Sequence, residues 1–423
     1  MVSRRALLRA GAAVSLAGLG AACSGEPAGS KAVSALWCWP GGLSEKVVAD
    51  AVTTYASRTD LRPAIFTGDY LSQMWPPLEK GSGVPAIAGI KGEDIASLLP
   101  RADRFVDLNS LGAQDLAGTY LPWKMQQGST IDGQQIGLPI DIGPTAMFYR
   151  SDIFGRAGLP TEPDAVTALM PTWEKYLDAG EKLHKALPGV HWLRNGAEIF
   201  STAIGQARQR FVDESNHFIG DQQHVRDAWK IAVELIERGL SAGISPDEHE
   251  AWAAALTAGK LATETGAAWH SADIEEDAPA QIGLWRVAAG PAAGANTGGS
   301  FLAIPAAGAG HELSFEIIKW LLSVDNQARN FTDAALFPAA PAAYTMSALT
   351  EPDTYFGGQV TVGVFGASAE KLQRAYEAPS DAGIEKLYLK ELDVVEKGGR
   401  TGDQGWSAAV TAARTYAVSQ GVN

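Results

Sequence analysis

Residues 137–154 read GLPIDIGPTAMFYRSDIF, and their reading decides the architecture of the chain. Gln135 to Pro139 and Thr145 to Tyr149 are short apolar runs of strand length. The segment between them, Pro139-Ile140-Asp141-Ile142-Gly143-Pro144, is neither regular strand nor helix. Its prolines remove backbone donors, and glycine weakens either element. Regular structure is therefore interrupted here between two strands, and a carboxylate, Asp141, rides on the break. The Gly/Ala/Pro-rich stretch Ala288 to Gly299 is a second such break, leading into a strand.

On either side of this segment, strands alternate with helices. Ala32 to Trp39 reads as a buried strand stopped by Pro40-Gly41-Gly42, and Ser44 caps a helix with Val47, Ala51 and Tyr55 on one face. Pro63 to Phe66 and Val84 to Ile90 are the next strands, and a helix starts at Asp94. The middle is richer in helix: Thr172 to Leu187, Ile199 to Arg210, Val225 to Gly239 and Glu248 to Lys260 carry apolar residues at helical spacing. Leu261 to Trp269, Gln281 to Val287 and Ser300 to Pro305 return as strands. A helix through Leu313, Ile317 and Leu321 follows, and 326–423 is mostly helical. This alternation predicts an α/β protein with mainly parallel sheets flanked by helices.

The N-terminus is of another kind. Ser3-Arg4-Arg5-Ala6-Leu7-Leu8-Arg9 precedes an uncharged Ala/Gly/Leu run from Ala10 to Ala22 that ends at Cys23. Thirteen residues are too few to span hydrocarbon, so the run reads as a processed export signal. The twin arginines resemble the twin-arginine export motif. Gly20-Ala21-Ala22-Cys23 resembles a lipobox, departing from it at Gly20, which makes Cys23 the expected acylated N-terminus. Residues 1–22 are then the signal, and 23–33, small and polar, the tether of an extracytoplasmic protein anchored at the outer face of the membrane.

The chain carries 34 Lys+Arg against 48 Asp+Glu, a net charge of -14. Without Arg4, Arg5 and Arg9 the balance is 31 against 48, or -17. That excess argues against nucleic acid, whose phosphates need clustered cations. With Cys23 acylated, Cys38 stands alone between two tryptophans and reads as a buried structural thiol. About 400 residues exceed a usual single core, so two lobes are expected.

Catalytic signatures are missing. The seven histidines form no HxH or HExxH pattern and there is no CxxC, so neither zinc nor another cofactor is expected. No phosphate-cradling glycine loop follows a strand. Ser368-Ala-Glu-Lys371 matches Ser-x-x-Lys without its companion motifs. The acidic run Asp273 to Asp277 lacks EF-hand spacing and reads as a solvated loop.

Several blocks, in order, resemble the large carbohydrate-binding group of ABC-importer solute-binding lipoproteins that includes maltose-binding protein. They are residues 137–154 with Gly155 to Pro160 and Pro171-Thr172-Trp173, then Ala258 to Ala262 before Gly266-Ala267-Ala268-Trp269. Gly298 to Pro305, Phe315 to Leu321, Phe356-Gly357-Gly358-Gln359 and Trp406 complete the set. The resemblance implies two lobes, 34–141 with 289–323 and 145–285 with 326–423, closing on a ligand in the cleft between them. It also implies a monomer without catalysis that delivers its solute to a membrane permease.

A sugar presents apolar faces and a ring of hydroxyls, so aromatic side chains and hydrogen-bonding polar groups are the residues to find at strand ends. Trp37 and Trp39 end the first strand, Asp69 follows the second, and Lys91, Glu93 and Asp94 follow the third. Asp141 on the crossing and Trp269 in the Gly-x-x-Trp block are the leading candidates. His270, Gly298, Gly299, Trp192 and Trp406 complete the expected site. An exported glycan hydrolase and a receptor for another polar solute, such as a polyol phosphate, are the competing expectations.

Overall fold

The protein is described by a computed structural model covering residues 31–372 and 375–423. Residues 1–22, expected to be an export signal, and Cys23, expected to be acylated, lie outside the described residues. Among the described residues, eight strands form two sheets: β1 Val33–Cys38, β2 Asp60–Ile65, β3 Ile87–Ile90, β4 Leu138–Pro139, β5 Thr145–Arg150, β6 Thr263–Ala267, β7 Trp285–Ala288 and β8 Phe301–Ala303. The first sheet has the order β2-β1-β3-β8-β4 and the second β6-β5-β7.

In the first sheet, β1, β2 and β3 are parallel. The helices Glu45–Tyr55 and Tyr70–Lys80 make the crossovers. Ser44 caps the first as expected, its Oγ accepting from the Val47 amide at 3.3 Å. Its apolar stripe, Val47, Ala51 and Tyr55, is buried. β8 then inserts antiparallel between β3 and β4.

The expectation of mainly parallel sheets fails for the second, where both pairings are antiparallel. β6, the helix His270–Asp277 and β7 form one crossover whose two strands run the same way and leave a gap. β5 fills that gap from the opposite direction, buried at every position. Full burial on both faces gives the same apolar run in either orientation, so composition does not report direction.

Between the sheets the chain crosses side by side with itself. The Ile140 amide donates to the Ser300 carbonyl at 2.8 Å, Ile142 to Phe337 at 2.9 Å, and Thr297 to Gly143 at 2.8 Å. The Gly143 amide donates to Asn296 Oδ1 at 2.9 Å. A Cβ at Gly143 would overlap the Thr297 carbonyl oxygen, so glycine is required there by close backbone approach. Residues around Phe337 thus supply a third crossing strand. The helix Val324–Ala334, grouped from sequence partly with the second lobe, is tied instead to the first sheet's helix. Arg329 pairs with Asp50 at 2.6 Å and Lys46 with Asp333 at 2.6 Å.

Cys38 is buried on β1, and burial pushes its thiol up to about 12, the state expected of a structural cysteine. Among the described residues no helix is long and apolar enough to cross a membrane.

Gly143→Ala is expected to destabilise the fold by about 1–3 kcal/mol, the scale of forcing extra volume into a packed site. Denaturant unfolding of the variant beside the wild type measures it.

Candidate functional site

A cavity of about 320 Å³ opens where both sheets' strand ends meet the crossings. The first sheet contributes Trp39, just past β1, with Lys91 and Glu93 past β3. The crossings contribute Asp141 and the turn Gly298–Ser300. The second sheet contributes Trp269, just past β6, and Asp273 one helical turn on. Strand ends are where open α/β sheets leave room for a ligand, because the connecting loops diverge there. A larger groove of about 460 Å³ along Ala117–Pro122 has no charged side chain among its lining residues and offers a polar solute little to bond.

Each wall pairs an indole with charges. The Lys91 ammonium lies 5.7 Å from the centre of the Trp39 ring and 3.9 Å from Glu93. Trp39 itself leans on Tyr70 at 5.3 Å. On the opposite wall Trp269 remains 36% exposed although large and apolar, which leaves a ring face for a ligand. Asp273 is half-exposed, and its Oδ2 lies 3.3 Å from His270 Nδ1.

The floor is more tightly built. Asp141 is buried, and its Oδ1 accepts the Ser300 amide at 2.7 Å. Burial pushes its carboxyl upward, while the Lys124 charge opposes that shift. Lys124 is wholly buried, donates to Gln127 Oε1 at 2.8 Å and sits 4.1 Å from the Phe301 ring centre. Burial pulls its ammonium down to about 8 against the attraction of Asp141. Gly298 and Gly299 both have positive φ, +75° and +74°. A Cβ on Gly299 would come within 2.8 Å of Lys124 Nζ, so the bare backbone keeps the floor open above a buried cation.

Seven of the expected residues therefore come together: Trp39, Lys91, Glu93, Asp141, Trp269, Gly298 and Gly299. Six do not line the cavity. Trp37 packs on Phe66 at 5.0 Å. Asp69 caps the helix Tyr70–Lys80, accepting from the Ser72 amide at 3.2 Å. Asp94 stands at a helix start without a capping bond, and burial pushes it to about 6. Trp192 is fully buried and stacks on Phe154 at 5.3 Å. Trp406 packs on Trp229 at 5.9 Å inside the helical layer. His270 turns inward from the wall that Trp269 and Asp273 present. Phe356 is buried against Phe148, and the Gln359 side chain bonds the Val287 backbone, so that block is structural.

Asp273 was missed. Its run is the helix His270–Asp277 and not a loop, and its position four residues after Trp269 gives both side chains one face. Lys124 carried no signal, since a lone lysine gives no hint that it is buried.

Residues 78–356 match the family described as bacterial extracellular solute-binding protein. The chain belongs to that family. The binding protein is similar to the lactose-binding protein of Rhizobium radiobacter, 24% identical over 54% of this chain and 56% of that one. It therefore spans about half the length of this curated relative. Over 91% of its length it superposes on all of a solved extracellular solute-binding protein of family 1, with 27% identity and a TM-score of 0.85. It also superposes on an ABC-transporter-associated binding protein of B. animalis subsp. lactis Bl-04 in complex with β-1,6-galactobiose. There the TM-score is 0.74 at 23% identity, covering 93% of this chain and 99% of that one, a likeness of fold.

Two stability outcomes follow from this placement. Trp192→Ala should cost about 3–5 kcal/mol and Trp269→Ala far less, because only the first opens a core cavity; chemical denaturation separates them. The ordinary value for Asp94 is 3.8, so its raised carboxyl costs stability as pH rises through about 6. Asp94→Asn should accordingly gain about 1–2 kcal/mol at pH 8 and almost nothing at pH 4, read from melts at both pH values.

Proposed function

We propose that the protein is the extracytoplasmic receptor of an ABC importer, capturing a sugar or short oligosaccharide in this cleft by hinge closure and passing it to a membrane permease. The observation that carries the proposal is one cavity walled by Trp39 from one sheet and Trp269 from the other, with Lys91, Glu93, Asp141 and Asp273 between them. Indoles cover the apolar faces of a sugar ring, while the charged groups and glycine backbone answer its hydroxyls. A hydroxyl-matched site rejects wrong solutes because unmet polar groups cost about 1–3 kcal/mol each. The relatives named for lactose and, in Bacillus subtilis, for arabinooligosaccharides support the same class of solute.

The protein works in this reading as a monomer without catalysis or cofactor. Its first lobe comprises 34–141 and 289–323, extended by the helix Val324–Ala334, and the second 145–285 and the remainder to 423. The lobes hinge at the crossings. Residues 1–22 export it, and acylated Cys23 anchors it outside the cytoplasmic membrane through the 23–33 tether. Against a polyol phosphate stands the scarcity of cavity cations, with Lys91 alone on the walls.

Tryptophan fluorescence and melting temperature of the chain from residue 31, titrated with lactose, arabinooligosaccharides and β-1,6-galactobiose, test the proposal. A saturable change, with the sugar recovered unaltered by chromatography, is the expected result. Hydrolysed sugar would sink it in favour of a hydrolase. Trp269→Ala should weaken the binding by at least about tenfold, the scale of losing an aromatic anchor.

A further inference from the structure

Directly behind the Trp269 wall lies a buried set of titratable groups that the capture of a solute does not obviously need. His270 is its centre. Its ring stacks on Trp252 at 5.5 Å and meets Phe148 edge-on at 5.6 Å and Trp269 at 6.1 Å. Nδ1 lies 3.3 Å from Asp273 Oδ2, a cleft-lining carboxylate. Nε2 lies 3.4 Å from Oε2 of Glu264 on β6, whose side chain is 1% exposed and whose Oε1 is buried without a partner.

From the helix Gly196–Gly205, Glu198 closes the same set, accepting from the Thr265 amide at 2.5 Å and its hydroxyl at 3.0 Å. The Arg194 guanidinium sits 5.5 Å from the Trp252 ring centre. Beyond Trp252, His249 pairs with Asp277 at 3.2 Å. A neutral imidazole has one N–H and can donate to only one of its two carboxylates; the imidazolium donates to both.

We propose that His270, as a buried imidazolium bridging Glu264 to Asp273, is the positioning residue of the second cleft wall, fixing the Asp273 carboxylate and the Trp269 indole to receive a sugar ring. The sugar-receiving part of this role rests on the carbohydrate reading of the cleft. Burial pulls the His270 ring down, but the hydrogen bonds to Asp273 and Glu264 outweigh it and hold the ring up to about 9. Burial, and then the nearby Glu264, pushes the Glu198 carboxyl up to about 8.

A base raised in the folded state stabilises it fully below 6.5, and that contribution disappears as pH climbs through about 9. Wall order and affinity should fall over the same range.

Two measurements test this. In ligand-free protein from residue 31, the imidazole NMR resonance lost in His270→Gln identifies His270. It should titrate near 9 and move down by about one unit or more in Asp273→Asn, a change at a half-exposed site that spares the core. A midpoint at or below 6.5, or one indifferent to Asp273→Asn, overturns the bridge whatever any sugar does.

Lactose and β-1,6-galactobiose titrations between pH 6 and 10 then test the wall. The wild type should lose about tenfold in affinity across pH 9, and His270→Gln should start about tenfold weaker. Any loss caused by Lys124, which titrates near 8 under the floor, persists in His270→Gln and is subtracted by that comparison. Equal affinities of the two proteins at every pH overturn the positioning role. No binding of either probe by the wild type removes the carbohydrate reading and the sugar-receiving role with it, while the NMR titration still decides the bridge.

Discussion

Everything in the cleft depends on backbone meeting backbone where the chain crosses between its two sheets. Three strands of crossing chain, around Ile142, Thr297 and Phe337, share hydrogen bonds across a gap that admits no side chain at Gly143. This is a narrow and well-bonded seam, and it carries the floor of the site with it. Asp141 and Ser300, two residues from opposite crossings, are joined by one hydrogen bond directly beneath the cavity. In the proposed reading these few residues are where the two lobes hinge.

The cleft is charged yet locally balanced. Lys91 faces Glu93, Lys124 faces Asp141, and His270 faces Asp273. Each carboxylate has a cation close by, in a chain whose net charge is -14. A charged solute would compete with the charged groups lining the cavity for these partners. In the proposed reading, an uncharged polyhydroxylated solute bonds the groups that face the cavity while leaving these pairs intact.

Much of this was legible before any coordinates. The Pro/Gly break at 139–144, the strand ends at Trp39 and Trp269, and Asp141 on the crossing all follow from rules that act within a few residues. What could not be read acts across the chain. Whether β5 runs with or against its neighbours depends on a partner more than a hundred residues away. Trp192 and Trp406 were expected in the cleft because indoles bind sugars, but an indole fills a core equally well, and both lie between packed helices. Asp273 was concealed in an acidic run that solvation alone would explain. His270 reads from sequence as a group that could bond a solute hydroxyl or be satisfied locally; the buried Glu264 on β6, which composition does not single out, holds it inward.

The burial of Cys38 has a practical consequence. Its sulfur is enclosed by the first sheet and the turn after it, so tightly that a side chain at Gly42 would strike it. From residue 31 onward it is also the sole cysteine of the sequence. A thiol introduced at the exposed Ile131, or on either rim of the cleft, would thus be the single reactive handle on a folded molecule. The proposed opening and closing of the two lobes could then be followed with one maleimide dye, with no native residue needing to be replaced first.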